Sequence, residues 1–299
     1  MSRSPRYVYR IELGKIGIWW SGRWRADEAS PDVAPEMESI GYTTLWSSGG
    51  FESGLSKHFE RLLAATTRIA VASGIVSIWT VTPTDLAAAV ADLETRYPGR
   101  FLAGLGASHA TRVVGYARPF SQMVKYLDDL DVAATPLDKN HRILAALGPR
   151  MLELSRERSL GAHPYFVPAE YVTLARATLG PHAMLAPSAT VVLESDVTKA
   201  RQRARAFTEH YLSLPNYANN LRSLGYSEAD LSGSGSNRLV DSLVCWGTLD
   251  AVAAKLRRYF EAGADHVCIQ VLSESRDIFP SREYRELASA LANPSGSSA

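Results

Sequence analysis

The chain has 299 residues, 46% hydrophobic and 21% charged, the balance of a globular protein with a large core rather than of a disordered, fibrous or membrane-spanning one. Its 32 Lys and Arg stand against 31 Asp and Glu, so a formal charge of +1 provides no long-range field for nucleic acid or an anionic membrane surface. Cys245 and Cys268 lie in apolar surroundings with no second Cys or His at metal-ligand spacing, which reads as two buried reduced thiols, no metal site and a cytoplasmic home.

The N-terminal MSRSPRYVYRIELG contains no apolar h-region, and no apolar run approaches the ~20 residues that span a bilayer, so neither export nor anchoring is expected. From there, short runs rich in Ile and Val alternate with segments of helical period. The runs fall at 16–19, 43–46, 69–75, 101–105, 142–146, 162–166, 190–193 and 266–272. Eight such runs separated by helices predict an α/β protein, a (β/α)8 TIM barrel. Helix starts are marked at Ser30-Pro31 and Thr82-Pro83, where a capping hydroxyl precedes a proline, and Thr248 or Asp250 can cap the last long helix. The helix over 86–97 is closed by Pro98-Gly99.

One stretch breaks the rhythm. Residues 196–247 hold two or three helices and the loop Ser232-Gly-Ser-Gly-Ser236, which predicts a helical insertion between strands 7 and 8 forming one wall of a substrate pocket. Within it Arg201, Arg203 and Arg205 read as a solvated helix face. A single domain over 1–292 with a loose tail at 293–299 completes the expected organisation.

In such a barrel the C-terminal strand ends face the ligand. Those ends carry Trp19-Trp20, Ser47-Ser48-Gly49-Gly50, Ser73-Gly74-Ile75-Val76-Ser77 with Trp79 beyond, Gly106-Ala107-Ser108-His109, Gly148-Pro149-Arg150 and His163-Pro164-Tyr165. They include no carboxylate pair, no Schiff-base lysine and no His/Asp/Glu metal set, which disfavours glycosidase, class I aldolase and metallohydrolase chemistry. A planar, aromatic, partly anionic ligand suits what remains.

Gly104-Leu-Gly106 resembles the start of a dinucleotide fingerprint, but His109 occupies the third glycine position, and close approach of backbone to a ring or strand explains these glycines better. His109 is a candidate proton donor or ligand contact; alternatively it bonds only a loop carbonyl. Gly148-Pro149-Arg150 opens a helix and can hold a phosphate, with a plain helix start as the alternative. His163 divides evenly between a ligand role and packing. The amides of Leu214-Pro-Asn-Tyr-Ala-Asn-Asn220 serve helix anchoring more readily than substrate recognition.

Taken in order, Gly17-Ile-Trp19, Ser73-Gly-Ile-Val76, Gly99-Arg-Phe-Leu-Ala-Gly-Leu-Gly-Ala-Ser-His109, Arg118-Pro119, Ala146-Leu-Gly-Pro-Arg-Met151, Gly161-Ala-His-Pro-Tyr165, Leu214-Pro-Asn-Tyr217 and Ala262-Gly-Ala-Asp-His-Val267 resemble the bacterial luciferase-like superfamily. The branch is that of probable coenzyme F420-dependent oxidoreductases of actinobacterial type. The resemblance implies a homodimer and a deazaflavin or flavin over the strand ends. It also implies a cis peptide at or beside Gly74-Ile75 and a phosphate turn at Gly148, Pro149 and Arg150. Ring contacts would come from Trp19, Ser73, Gly74, Ile75, Trp79, Gly106 and Ser108, with His109 and then His163 as acid–base groups. An Asp-His pair common in such enzymes at the second strand is replaced here by Ser47-Ser48. The implied activity is hydride transfer between coenzyme F420 and a small organic substrate. The alternatives are an FMN-dependent monooxygenase partnered by a flavin reductase, and a non-catalytic flavin-binding relative.

Overall fold

The computed structural model describes residues 11–20, 33–48, 57–274 and 278–292. The expected helix start at Ser30-Pro31, the second-strand residues Gly49 and Gly50, and the tail 293–299 lie outside the described residues.

In chain order the elements are β1 (Ile16–Trp20), α1 (Val33–Ser39), β2 (Thr44–Ser47), α2 (Lys57–Ala65), β3 (Ala70–Ser73), β4 (Val76–Ser77), α3 (Pro83–Arg96), β5 (Phe101–Gly106), α4 (Pro119–Asp131), β6 (Arg142–Leu144), α5 (Pro149–Arg158), β7 (Gly161–Ala162), α6 (Ala169–Leu179), β8 (Met184–Leu185) and β9 (Ser188–Leu193). Then follow α7 (Val197–Leu212), α8 (Pro215–Ser223), α9 (Glu228–Leu231), α10 (Asn237–Leu243), β10 (Val244–Gly247), α11 (Leu249–Glu261), β11 (Val267–Val271) and α12 (Ser281–Ala292).

Every strand pairing is parallel, in the order β10-β9-β11-β1-β2-β3-β5-β6-β7-β8, with β4 beside β5. β8 and β9 are one strand interrupted at Ala186-Pro187, where proline lacks the N–H a ladder needs. Backbone bonds run through the interruption: Ala186 N to Ala162 O and Ser188 N to Pro164 O on one side, Cys268 N to Pro187 O on the other. The ring therefore closes on eight staves, with β3 and β4 forming one and β8 and β9 another, which is a TIM-barrel-like α/β fold.

Side chains alternate across this wall. Trp46, Ala72, Leu102, Ile143, Ala186 and Cys268 point inward and form the barrel interior, closed at its N-terminal end by Ile11 and Leu13. Their neighbours Leu45, Val71, Phe101, Leu144, Leu185 and Ile269 point outward against the helices. Phe101 and Leu102 are both fully buried yet serve different cores, each burial stabilising by roughly 1.5–3 kcal/mol. Cys245 and Cys268 are free and buried, as expected.

The helices begin as their caps dictate. Thr82 Oγ1 accepts from Asp85 N ahead of Pro83, and Thr248, rather than Asp250, caps α11 by accepting from Ala251 N. No helix among the described residues is long and apolar enough to cross a membrane.

Three readings are corrected. The seventh strand begins at Met184, not at residue 190, because Pro187 splits its apolar run. The segment 196–247 contains the four helices α7–α10 and also β10, a four-residue run too short to show a period, which pairs with β9. Its arginines are not simply solvated. Arg201 makes a two-pronged bond to Asp241 (3.0 and 2.6 Å) and lies 5.6 Å from the Trp246 ring, and Arg205 bonds Asn237, so both tie α7 to the α10–β10 region.

Candidate active site

The mouth of the ring is shaped by a bulge. Ala72 pairs with Leu102 and Val76 with Leu105, so Ser73, Gly74 and Ile75 face only Ala103 and Gly104. One extra residue on the β3–β4 side interrupts the ladder there. Ser73 Oγ takes over the freed backbone groups, donating to Gly104 O (3.0 Å) and accepting from Gly104 N (2.8 Å). The Gly74-Ile75 bond is cis, at the position the resemblance implied.

The glycines of β5 answer to this bulge. A Cβ on Gly104 would sit 2.0 Å from Ser73 O, and one on Gly106 would sit 2.5 Å from Ile75 Cδ1. No helix opens after them until α4, so close approach, not a dinucleotide turn, accounts for Gly104-Leu-Gly106.

Around the bulge the mouth is aromatic. Trp19, at the end of β1, packs against Gly74, where a Cβ would meet its ring at 2.7 Å, and its ring centroid is 5.0 Å from that of Tyr165. Trp79 donates from Nε1 to Ala107 O (2.7 Å) and faces Tyr116 at 5.5 Å. Ser108 has a left-handed backbone (φ 57°) and turns the chain so that His109 reaches the insertion. His109 Nδ1 lies 3.0 Å from Asn216 Oδ1, an acceptor, so Nδ1 carries the proton and the lone pair of the neutral ring is on Nε2. Burial lowers the His109 pKa, with the Asn216 bond opposing.

His163 lies deeper. It is 2% exposed, its ring stacks on Trp46 (4.0 Å, 10°), and Trp19 lies parallel to it at 6.1 Å. Its Nδ1 is 2.6 Å from Ala186 O and therefore donates, while the buried Nε2 has no hydrogen-bond partner among the described residues. Burial pulls its pKa down to about 4, so the ring is neutral at neutral pH. His266 is similar: Trp46 Nε1 donates to its Nε2 (3.0 Å), Nδ1 pairs with Gly14 O, and burial lowers it to about 4.

Gly148 caps α5 with ordinary extended angles (φ −79°, ψ 158°), no side-chain cap and open space where a Cβ would stand. Pro149 is at the first helical position, and the exposed Arg150 rests 4.1 Å over Phe120. This helix start offers unshared backbone N–H groups and a cation. Trp19, Gly74, Ile75 and Gly106 are thus brought into direct contact, with Ser73 behind them. Ser108, His109 and Trp79 stand on the loops beyond, Gly148-Pro149-Arg150 is a separate helix start, and His163 lies beneath.

Sequence reasoning missed Gln270. It shares the inward face of β11 with Cys268, is half-exposed, and its Oε1 accepts from Tyr165 Oη at 2.6 Å. The signal was one polar residue at an inward position of an otherwise apolar strand, VCIQV. Also missed was His58 on α2, whose Nε2 is 2.6 Å from Ser47 Oγ, on the helix side of β2. A depression of about 300 Å³, lined by Asp131, Asp138, Lys139, Arg142, Glu157 and Arg158, opens at the opposite, N-terminal end of the strands. Its charges largely pair with one another, Arg142 and Arg158 both with Asp131.

Fold and strand-end site together define a luciferase-like α/β barrel. Residues 28–130 match the family model described as luciferase-like monooxygenase, in line with the resemblance. Among solved structures the chain is similar to an F420-dependent secondary alcohol dehydrogenase in complex with an F420-acetone adduct (TM-score 0.72, 16% identity, 94% of this chain and 99% of that one). It is also similar to the coenzyme F420-dependent tetrahydromethanopterin reductase of Methanopyrus kandleri (TM-score 0.62, 14% identity, 93% and 98%). A third is the FMN-bound oxygenating constituent of 3,6-diketocamphane monooxygenase of Pseudomonas putida (TM-score 0.63, 14% identity, 94% and 98%). No curated protein sequence matches the chain.

Proposed function

We propose that this protein is an oxidoreductase that uses a 5-deazaflavin of the F420 type to move a hydride to or from a small organic substrate. The observation that carries the reading is the bulge at Ser73-Gly74-Ile75, set over Gly106 and beside Trp19 at the C-terminal mouth of the ring. A flat tricyclic ring needs bare backbone on one side and aromatic walls at its margin, and the mouth supplies Gly74 with Trp19 and Trp79. The uncapped start of α5 with Arg150 fits the phosphate that F420 and FMN both carry. The F420-bound relative, at TM-score 0.72, supports the deazaflavin choice.

When bound, the deazaflavin supplies two-electron hydride chemistry. This chain's part is to position the partners and to handle the proton. Neutral His109, held through Nδ1 by Asn216, presents Nε2 to accept a proton from a hydroxyl as hydride leaves, and its protonated form returns that proton in the reverse direction. His163 keeps its proton on Nδ1 for Ala186 O and acts from below, by packing under Trp19. The partners on this reading are a small-molecule substrate and a second copy of the chain.

One observation favours the second reading, an FMN-dependent monooxygenase served by a flavin reductase. The FMN-bound relative has the same fold at TM-score 0.63. Titration of the purified protein with F420 and with FMN, followed by ligand fluorescence, separates the two. Tighter binding of F420 is expected. A tenfold preference for FMN, about 1.4 kcal/mol, overturns the cofactor assignment. Binding of neither overturns the site.

A further inference from the structure

We infer that Gln270 is a binding residue for the cofactor ring, presenting its amide N–H groups to a ring carbonyl of the pyrimidinedione portion that F420 and FMN share. The inference rests on the cofactor reading above and adds to it a contact made by the last strand. Gln270 occupies an inward position of β11, opposite Thr190 of β9, and is half-exposed where the interior opens into the mouth.

Its orientation is set by a relay. Tyr165 Oη donates to Gln270 Oε1 at 2.6 Å, and since a hydroxyl has one proton, the 3.0 Å contact with Tyr211 Oη must be a bond that Tyr211 donates. Burial, listed first among its causes by size and reinforced by Tyr211, holds the Tyr165 phenol well above its usual range, so it stays protonated and keeps donating. With Oε1 engaged, Nε2 turns away from Tyr165, and its two N–H groups have no partner among the described residues. Each bond in such a chain polarises the next, so the terminal N–H groups become better donors.

The surroundings select the acceptor. Trp19 lies 5.0 Å from Tyr165 and packs on Gly74, so a donor here meets the edge of a flat ring lying against the bulge. An edge with carbonyl oxygens satisfies these N–H groups; a purely hydrocarbon edge leaves them unpaired.

The test uses the full chain carrying Gln270→Leu, Gln270→Glu or Tyr165→Phe, with circular dichroism and thermal midpoint as controls for folding. Dissociation constants for F420 and FMN are measured by fluorescence, and the carbonyl stretching bands of the bound ring by infrared difference spectroscopy. Gln270→Leu is expected to weaken both ligands about five- to tenfold and to raise one carbonyl frequency, because that oxygen loses its donor. Gln270→Glu, close in shape but with an acceptor in place of the donor, weakens them at least as much. Tyr165→Phe gives a smaller loss with the same direction of band shift, since the amide remains but is no longer held. Wild-type binding with unchanged affinities and bands in Gln270→Leu and Gln270→Glu overturns this inference alone. Absence of binding in the wild type overturns the cofactor reading and this inference with it.

Discussion

Ser73 and Gly104 bond each other twice across the bulge, hydroxyl to carbonyl and amide to hydroxyl, while the Ser73 carbonyl oxygen fills the space a Gly104 side chain would need. Removing the hydroxyl in Ser73→Ala leaves two buried backbone groups unpaired and is expected to cost about 1–3 kcal/mol, read from urea unfolding. Gly104→Ala is expected to be worse. Its Cβ meets backbone at 2.0 Å, which no side-chain rotation relieves, so the chain either fails to accumulate folded or loses more than Ser73→Ala. Wild-type stability in either variant shows that the bulge does not depend on this pair.

Gly148 offers the opposite case, a glycine whose backbone angles suit any residue and whose Cβ would meet nothing. Gly148→Ala is expected to keep or slightly raise stability, by up to about 1 kcal/mol, through a less flexible unfolded chain. Arg150→Met tests the phosphate assignment. It should weaken FMN by about tenfold while leaving riboflavin, which lacks the phosphate, unchanged, and added salt should narrow the difference. Equal losses for both ligands would place the phosphate elsewhere.

Much of the barrel was legible because its signals are local. Thr82-Pro83 before α3, Pro98-Gly99 after it and the alternating runs at 101–105 and 266–272 each declare themselves within a few residues. What escaped depends on register across the ring. That Pro187 splits one strand rather than ending a loop follows only from Ala186 and Ser188 bonding to Ala162 and Pro164. The Tyr165–Gln270 bond joins residues 105 positions apart, and Ser47 meets His58 only because α2 returns over β2. The arginines of α7 show the same limit: helical period placed Arg201 on an outer face, but Asp241 and Trp246 arrive from the far end of the insertion.

That contact can be weighed. Arg201 and Asp241 are both partly exposed, so solvent screens the pair, and Arg201→Met is expected to cost only about 1 kcal/mol. The effect should be local. Hydrogen exchange is expected to quicken in α7 and α10 and to stay unchanged in β1, β2 and β3, which belong to other cores. Uniform quickening would mean that the insertion and the barrel unfold as one unit.

The stacked histidine gives the molecule a pH dependence whose sign is fixed by its burial. His163 ordinarily titrates near 6.5 but at about 4 in the folded chain, so between these values the unfolded chain binds the proton and the folded one does not. Stability is therefore constant above about pH 7, falls as pH drops through 6.5, and stops falling below about 4, with His163 alone accounting for on the order of 3 kcal/mol. His266, also lowered to about 4, adds a loss in the same window. Glu94, whose burial raises its pKa, works in the opposite direction. Because those two groups remain in His163→Phe, comparing it with the wild type isolates His163. Phenylalanine keeps a ring against Trp46 but gives up the bond to Ala186 O, so the variant should be less stable at pH 7.5 and should lose less on going to pH 5. Urea midpoints at the two pH values measure this. Equal losses in both proteins would mean that His163 takes up a proton in the folded state as readily as in the unfolded one, and that the ring between Trp46 and Trp19 is not shielded from water.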